Sequence, residues 1–240
     1  MNCLRSLEFI KKIGNRYKKY GLKTIIIHPP EWEFEKKHYN IKFASKKYRI
    51  RFPIRPDKNY RIIKTLNVNF WPAQILVKDG KIVYRHIGEG NYRRLEGKIA
   101  EILKIKPRDI LKTEPQYSKF PAIYCGKKKN GKIGNLNDKL KFGAVYLDDN
   151  WVQKNEFVQS LGNNAKLFIK TRGKSINFVA GSLGGKQIKI LIKTNKNKKS
   201  KTLSIKNPQL YNLIKLNNNK ENILNINAGK NLAVYSFSFQ

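Results

Sequence analysis

The character of the apolar pattern changes near residue 106, and that change commits the chain to two unlike parts. Before it, runs with apolar positions every three or four residues, as one helix face requires, are set around short strand-like runs. Well beyond it apolar positions alternate with period two, as a half-buried strand requires. Neither pattern can serve the other element, because shifting the period moves apolar side chains off the buried face. The length of 240 residues accommodates both, since domains commonly run about 100–150 residues. The boundaries expected are 1–106 for the first domain, 107–120 for a linker and 121–240 for the second domain.

In the first part, Leu4, Leu7, Ile10, Ile13, Tyr17 and Tyr20 line one helix face, and Gly21 can supply the left-handed stop after it. The run KTIIIH (23–28) predicts a strand buried on both faces, ended by Pro29 and Pro30. A second helix is expected over 31–48, an extended piece over 49–54 and a short helix over 57–68. The clearest local signal is FWPAQILVKDGKIVYRHIGEG (70–90), two strand-like runs joined by the tight-turn sequence KDG. A last helix over 91–105 carries Leu95, Ile99, Ile102 and Leu103 on one face. A strand set among helices predicts an α/β layer arrangement.

The stretch PRDILKTEPQYSKFP, with Pro107, Pro115 and Pro121, has no sustained period and reads as a linker. Beyond it KLFIKT (166–171), SINFVAG (175–181), QIKILIKT (187–194) and LAVYSFSF (232–239) alternate, separated by Gly, Asn and Lys turns. In QIKILIKT, Ile188, Ile190 and Ile192 share one face, with Lys189 and Lys193 on the other. Several short alternating strands predict an all-β sandwich, of the jelly-roll kind.

Charge is the extreme feature of the composition: 51 Lys and Arg against 16 Asp and Glu give a net charge of +35. Such a surplus attracts phosphate backbones and anionic surfaces. Yet the basic clusters KKKNGK (127–132) and KTNKNKKSK (193–201) are turn-like and contain no aromatic residue. Nucleic-acid surfaces usually interleave stacking side chains, so a solvated basic surface is expected instead. Two cysteines, Cys3 and Cys125, are too few for a disulfide scaffold or a zinc site, and His28, His38 and His86 show no ligand spacing. No metal or other cofactor is expected. No apolar run reaches about 18 residues, and no secretory signal pattern opens the chain.

Three features of the first part belong together. Cys3 falls on the first turn of a helix, where free N–H groups and the helix dipole favour a thiolate. Trp71–Pro72 precedes a strand, a position where a cis bond can occur. The order helix, strand, helices, hairpin, helix is that of a thioredoxin fold after its redox motif. On these residues the chain resembles the thioredoxin-like region of the DipZ-type thiol–disulfide proteins. NCLRSLEF (2–9) is similar to the second half of their Trp-Thr-Tyr-Ser-Cys-Ile-Asn-Cys-Leu-Arg motif, and HPPEWEFEK (28–36) to their His-Thr-Pro-Glu-Phe segment. NFWPAQILVKDGKIVYRHIGEGNY (69–92) resembles their Trp-Pro-Ala…Gly-Glu-Gly block. FPAIYCGKKKNGKIGN (120–135), NPQLYNLI (207–214) and AVYSFSF (233–239) resemble segments of their β-domain.

The resemblance implies a two-cysteine exchange with protein disulfides or dithiols, fed by a membrane electron carrier outside the cytoplasm. By position Cys3 is the second, resolving cysteine, and Pro72 the cis-proline that shapes substrate docking beside Trp71. Glu31 is a candidate for proton handling, or a carboxylate that satisfies a helix start. The motif's first cysteine would stand directly before Met1, and the family's central strand before that, so truncation and impaired turnover are expected of residues 1–240. The strands at 23–28 and 73–77 would then each lack a neighbour. Cys125 takes the place of a family leucine and is expected to pack as a small hydrophobe. Two other roles are carried forward. One is a non-enzymatic basic adaptor for anionic surfaces, and the other is carbohydrate binding through the second domain.

Overall fold

The computed structural model describes residues 2–106, 120–195, 197–216 and 221–239, with only the backbone of 197–199. It divides into two compact units, Met1–Gln116 and Tyr117–Gln240. The expected linker at 107–120 lies, except for Phe120, outside the described residues.

The first unit begins with α1 (Asn2–Tyr17), whose apolar face buries Ile13 and Tyr17. A single 3₁₀ turn, Lys18–Tyr20, closes on Gly21 at φ 97°, whose N–H bonds the Lys18 carbonyl. Glycine adopts that left-handed conformation without the Cβ clash other residues would meet. The next strand, β1 (Ile26–His28), is shorter than its apolar run and only half-buried, and Ile25 is exposed. The expectation of burial on both faces fails because, among the described residues, β1 has one neighbour, β2 (Ile54–Pro56), paired in parallel. Between them the expected single helix over 31–48 divides into a 3₁₀ turn, Glu33–Lys36, and α2 (His38–Lys47), broken at the extended residue Lys37.

After the short α3 (Arg61–Thr65) come β3 (Ala73–Lys78) and β4 (Lys81–Ile87), an antiparallel hairpin. Its turn residues Asp79 and Gly80 have φ of 48° and 74°, the two left-handed positions of a tight hairpin turn. The last helix, α4 (Tyr92–Ile102), buries Tyr92, Leu95, Ile99 and Ala100. One apolar cluster joins α1, α4 and the hairpin through Ile13, Tyr17, Tyr92, Leu95 and Ile99, with Leu76 and Tyr84 packed against it. The Phe9 and Tyr92 rings stack at 4.5 Å. Among the described residues, β1 and β3 are each hydrogen-bonded to one strand only.

Among its described residues the second unit has strands joined by turns, one 3₁₀ turn and no α-helix. Its strands are β5 (Ile123–Tyr124), β6 (Ile133–Asn135), β7 (Val145–Leu147), β8 (Trp151–Gln153), β9 (Val158–Ser160), β10 (Ala165–Thr171), β11 (Ser175–Ser182), β12 (Ile188–Thr194), β13 (Asn197–Ile205), β14 (Gln209–Lys215), β15 (Asn222–Ala228) and β16 (Leu232–Phe239). One sheet runs β13-β12-β15-β10-β7-β6; the other runs β14-β11-β16-β9-β8, with β5 also on β16. Both sheets contribute to one apolar core that holds Leu167, Ile190, Ile192, Leu224 and Ile226 from the first and Phe178, Val234 and Phe237 from the second. The alternation read from QIKILIKT is visible here: Ile188, Ile190 and Ile192 are buried while Lys189 and Lys193 are exposed.

Candidate functional site

The residues singled out in the first unit sit on three local supports. Cys3 and Arg5 occupy the first turn of α1. Trp71 and Pro72 precede β3, and the peptide between them is cis. Glu31 and Glu35 follow β1, Glu35 lying in the 3₁₀ turn.

Two links tie the Cys3 turn to the cis-proline segment. The Arg5 guanidinium grips Glu89 in a fork, Nε to Oε1 at 2.7 Å and Nη2 to Oε2 at 2.8 Å. Glu89 follows β4 directly after Gly88, whose N–H donates to the Pro72 carbonyl at 2.8 Å. The Glu89 side chain is 4% exposed, so the paired charge is nearly dry and its geometry matters. Gly88 and Gly90, both at φ 103°, give the loop the left-handed turns that a side chain would resist. Gln74 fastens the same loop by donating from Nε2 to the Gly90 carbonyl at 2.8 Å. Behind the turn, the Tyr92 hydroxyl donates to Ser6 Oγ at 2.8 Å, which fixes α1 against α4.

Electrostatics at Cys3 run against the sequence expectation of a thiolate. The residue keeps exposed surface, yet its thiol lies within enough protein for desolvation to push it up to about 11, with Glu31 and Glu35 adding to the rise. Burial penalises the charged form more than the amino-terminal charge and the Cys3 backbone N–H favour it. Glu35 is pushed up to about 7, chiefly by burial and opposed by the backbone N–H groups of Glu31 and Trp32. The Glu31 N–H donates to Glu35 Oε2 at 2.5 Å. His28 is lowered by burial, opposed by its bond to the Glu35 backbone. His86 has partners in Asn91 Nδ2 at 2.9 Å and the Glu89 carbonyl at 3.4 Å.

Sequence reasoning passed over Arg5, Glu89 and Glu35 as individual residues. All three lie inside segments that carried the family resemblance, but an ion pair spanning 84 positions leaves no local periodicity to read. Cys125 lies elsewhere, fully buried in the core of the second unit, where desolvation pushes its thiol upward. Among the described residues no group of three His, Cys, Asp or Glu side chains could hold a metal. No described helix is long and apolar enough to cross a membrane.

Comparison with known proteins fits this arrangement. Residues 126–239 match the family model of the thioredoxin-like C-terminal domain. Protein DipZ of Mycobacterium bovis is 24% identical over 264 aligned positions, covering 100% of this chain and 37% of the relative. Thiol-disulfide oxidoreductase ResA of Bacillus cereus is 32% identical over 101 positions, covering 42% of this chain and 56% of the relative. The chain therefore spans less than two thirds of either relative. A family two carbohydrate esterase from Clostridium thermocellum aligns at a TM-score of 0.36 and 9% identity, over 40% of this chain and 31% of that one, too weakly to bear on function. With residues 126–239 matching the thioredoxin-like C-terminal domain, a first part similar to ResA and similarity to DipZ along its whole length, the chain is similar to the DipZ-type thioredoxin-like proteins.

Proposed function

We propose that the first unit carries out thiol–disulfide exchange with a protein substrate, with Cys3 as a resolving thiol. The observation that carries this reading is the pair of links, Arg5–Glu89 and Gly88–Pro72, joining the Cys3 turn to the cis-proline segment. A thiol raised to about 11 rests protonated at neutral pH, which suits a group that acts second. Glu35, poised near 7, takes the Cys3 proton. The freed sulfur attacks a mixed disulfide, forming one S–S bond as another breaks, and the leaving thiolate recovers the proton. Pro72 and Trp71 meet the backbone of the docked substrate. Glu31 orients Glu35 through its backbone N–H. The setting is extracytoplasmic, where protein disulfides persist, and a membrane electron carrier supplies the reducing equivalents.

The test uses residues 1–240 in an insulin-reduction assay, with mass spectrometry of trapped adducts. Cys3 is expected to form a mixed disulfide that Cys3→Ser abolishes, without sustained turnover. Full reductase activity from these residues would overturn the resolving role. Absence of any Cys3 adduct, together with steeply salt-dependent binding to polyanions, would favour the adaptor role. Glu35→Gln separates proton transfer from field effects: it is expected to slow exchange while lowering the Cys3 pKa, read by ultraviolet titration of the thiolate.

A further inference from the structure

The second unit carries a polar depression that thiol exchange does not use. Its position follows from strand register. On β15, Asn225 and Asn227 point away from the core, since their neighbours Leu224 and Ile226 are fully buried. Lys193 of β12 lies opposite Asn225, and Lys166 of β10 lies opposite Asn227. Leu191, also opposite Asn227, completes the lining. The depression holds about 150 Å³. That falls below the roughly 300–1,000 Å³ of sites for drug-sized ligands, so it suits one ring rather than a large molecule.

Oδ1 of Asn225 and Oδ1 of Asn227 are both buried with no hydrogen-bond partner. Such orphaned acceptors are uncommon in native interiors, and two on one short strand face are unexplained by the sheet itself. No internal bond of these oxygens fixes the amides, and their terminal torsions are broad, so each can turn either its donor or its acceptor outward. Lys166 and Lys193 are exposed, and among the described residues neither forms an ion pair. β15 is paired on both sides, so its main chain is spent on the ladder and recognition falls to side chains.

We infer that this face of β10, β15 and β12 binds one acidic sugar residue, a uronate. Two unpaired ammonium groups call for an anion. Two amides with free acceptors call for hydroxyl donors, which a sulfate or simple carboxylate lacks. Leu191 offers the apolar patch on which the C–H face of a sugar ring rests. Phe168 of β10, opposite Asn225 on the same face, is the one aromatic ring beside these residues, and the depression itself is lined by none, fewer than the successive stacking rings that single-stranded nucleic acid uses.

Calorimetric titration of the 240-residue chain with trigalacturonate tests this, with neutral galactotriose and inorganic phosphate as comparison ligands. One trigalacturonate is expected per chain, at least about tenfold tighter than either comparison ligand. Asn225→Ala with Asn227→Ala is expected to weaken it about tenfold, the scale of two lost hydrogen bonds. Asn225→Asp with Asn227→Asp, which keeps shape and adds repulsion, is expected to abolish it. Lys58→Gln, an exposed site in the first unit, should change nothing. Equal binding of phosphate or galactotriose, unchanged binding in both asparagine double variants, or equal weakening by Lys58→Gln would each overturn the assignment.

Discussion

The two units solve the problem of staying folded in opposite ways. In the second, 24 of the described residues form one continuous buried apolar cluster fed by both sheets. In the first, the principal cluster of α1, α4 and the hairpin holds five. Buried polar ties supplement it: Tyr17 to Glu96 at 2.7 Å, Tyr92 to Ser6, Gln74 to Gly90, and Arg5 to Glu89. Apolar burial is non-directional and sums over area, whereas hydrogen-bonded charge fixes orientation and costs dearly when half is removed. Rigidity without direction suits a scaffold. Directed ties suit a thiol that must meet a partner sulfur.

The largest expected effect tests the apolar half of that contrast. Phe237 is fully buried, with its ring 5.9 Å from Phe178. Phe237→Ala is expected to cost the second unit about 3–5 kcal/mol in denaturant unfolding. A cost below about 1 kcal/mol would mean the core repacks freely and the contrast is overstated.

Next comes the directed half. Arg5→Ala leaves the nearly buried Glu89 carboxylate unpaired and is expected to cost the first unit about 3 kcal/mol. The Cys3 adduct yield should fall with it. Arg5→Lys, which keeps the charge but loses the fork, should recover only part of either. Full recovery by lysine would show that charge alone, without direction, holds the turn.

Glu35 sharpens the comparison through pH. In the folded chain it keeps its proton to about 7 against an ordinary 4.5. Between those values the folded state holds a proton that the unfolded chain has released. Its stabilising contribution is therefore complete below about 4.5 and lost as pH rises through about 7. Glu35→Gln, neutral throughout, is expected to exceed the parent in stability by about 3 kcal/mol at alkaline pH and to match it near pH 4. Paired denaturation curves across pH would show this, and parallel curves would count against a buried carboxyl.

The smallest effect concerns the second thiol. Cys125→Ala removes a fully buried sulfur and should cost about 1 kcal/mol. In the parent, alkylation should label Cys3 in the folded chain and Cys125 only on unfolding. Labelling of Cys125 at native pH would contradict the closed core.

Much of this was legible beforehand because it was local. The hairpin at 73–87 shows itself in its two strand-like runs and its Asp79-Gly80 turn, and α1 in its three–four spacing. The strand over 23–28 is less buried than its apolar run suggests, because such a run does not say how many neighbours a strand will find. The helix expected over 31–48 divides at Lys37, where the backbone is extended. Strands β5 to β9, two or three residues each, are too short to show a period at all.

Sequence alone determined the division into an α/β part and a β part, and the placing of a thiol at a helix start, because periodicity and position are properties of neighbouring residues. Tertiary structure alone decided what that thiol is. The Cys3 thiol is pushed up to about 11 because desolvation, with Glu31 and Glu35 adding to it, outweighs the amino-terminal charge and the backbone N–H that favour the thiolate. Arg5 reaches Glu89 across 84 positions to hold it in place. Desolvation and long-range pairing depend on which residues the fold brings together, and no local pattern encodes that.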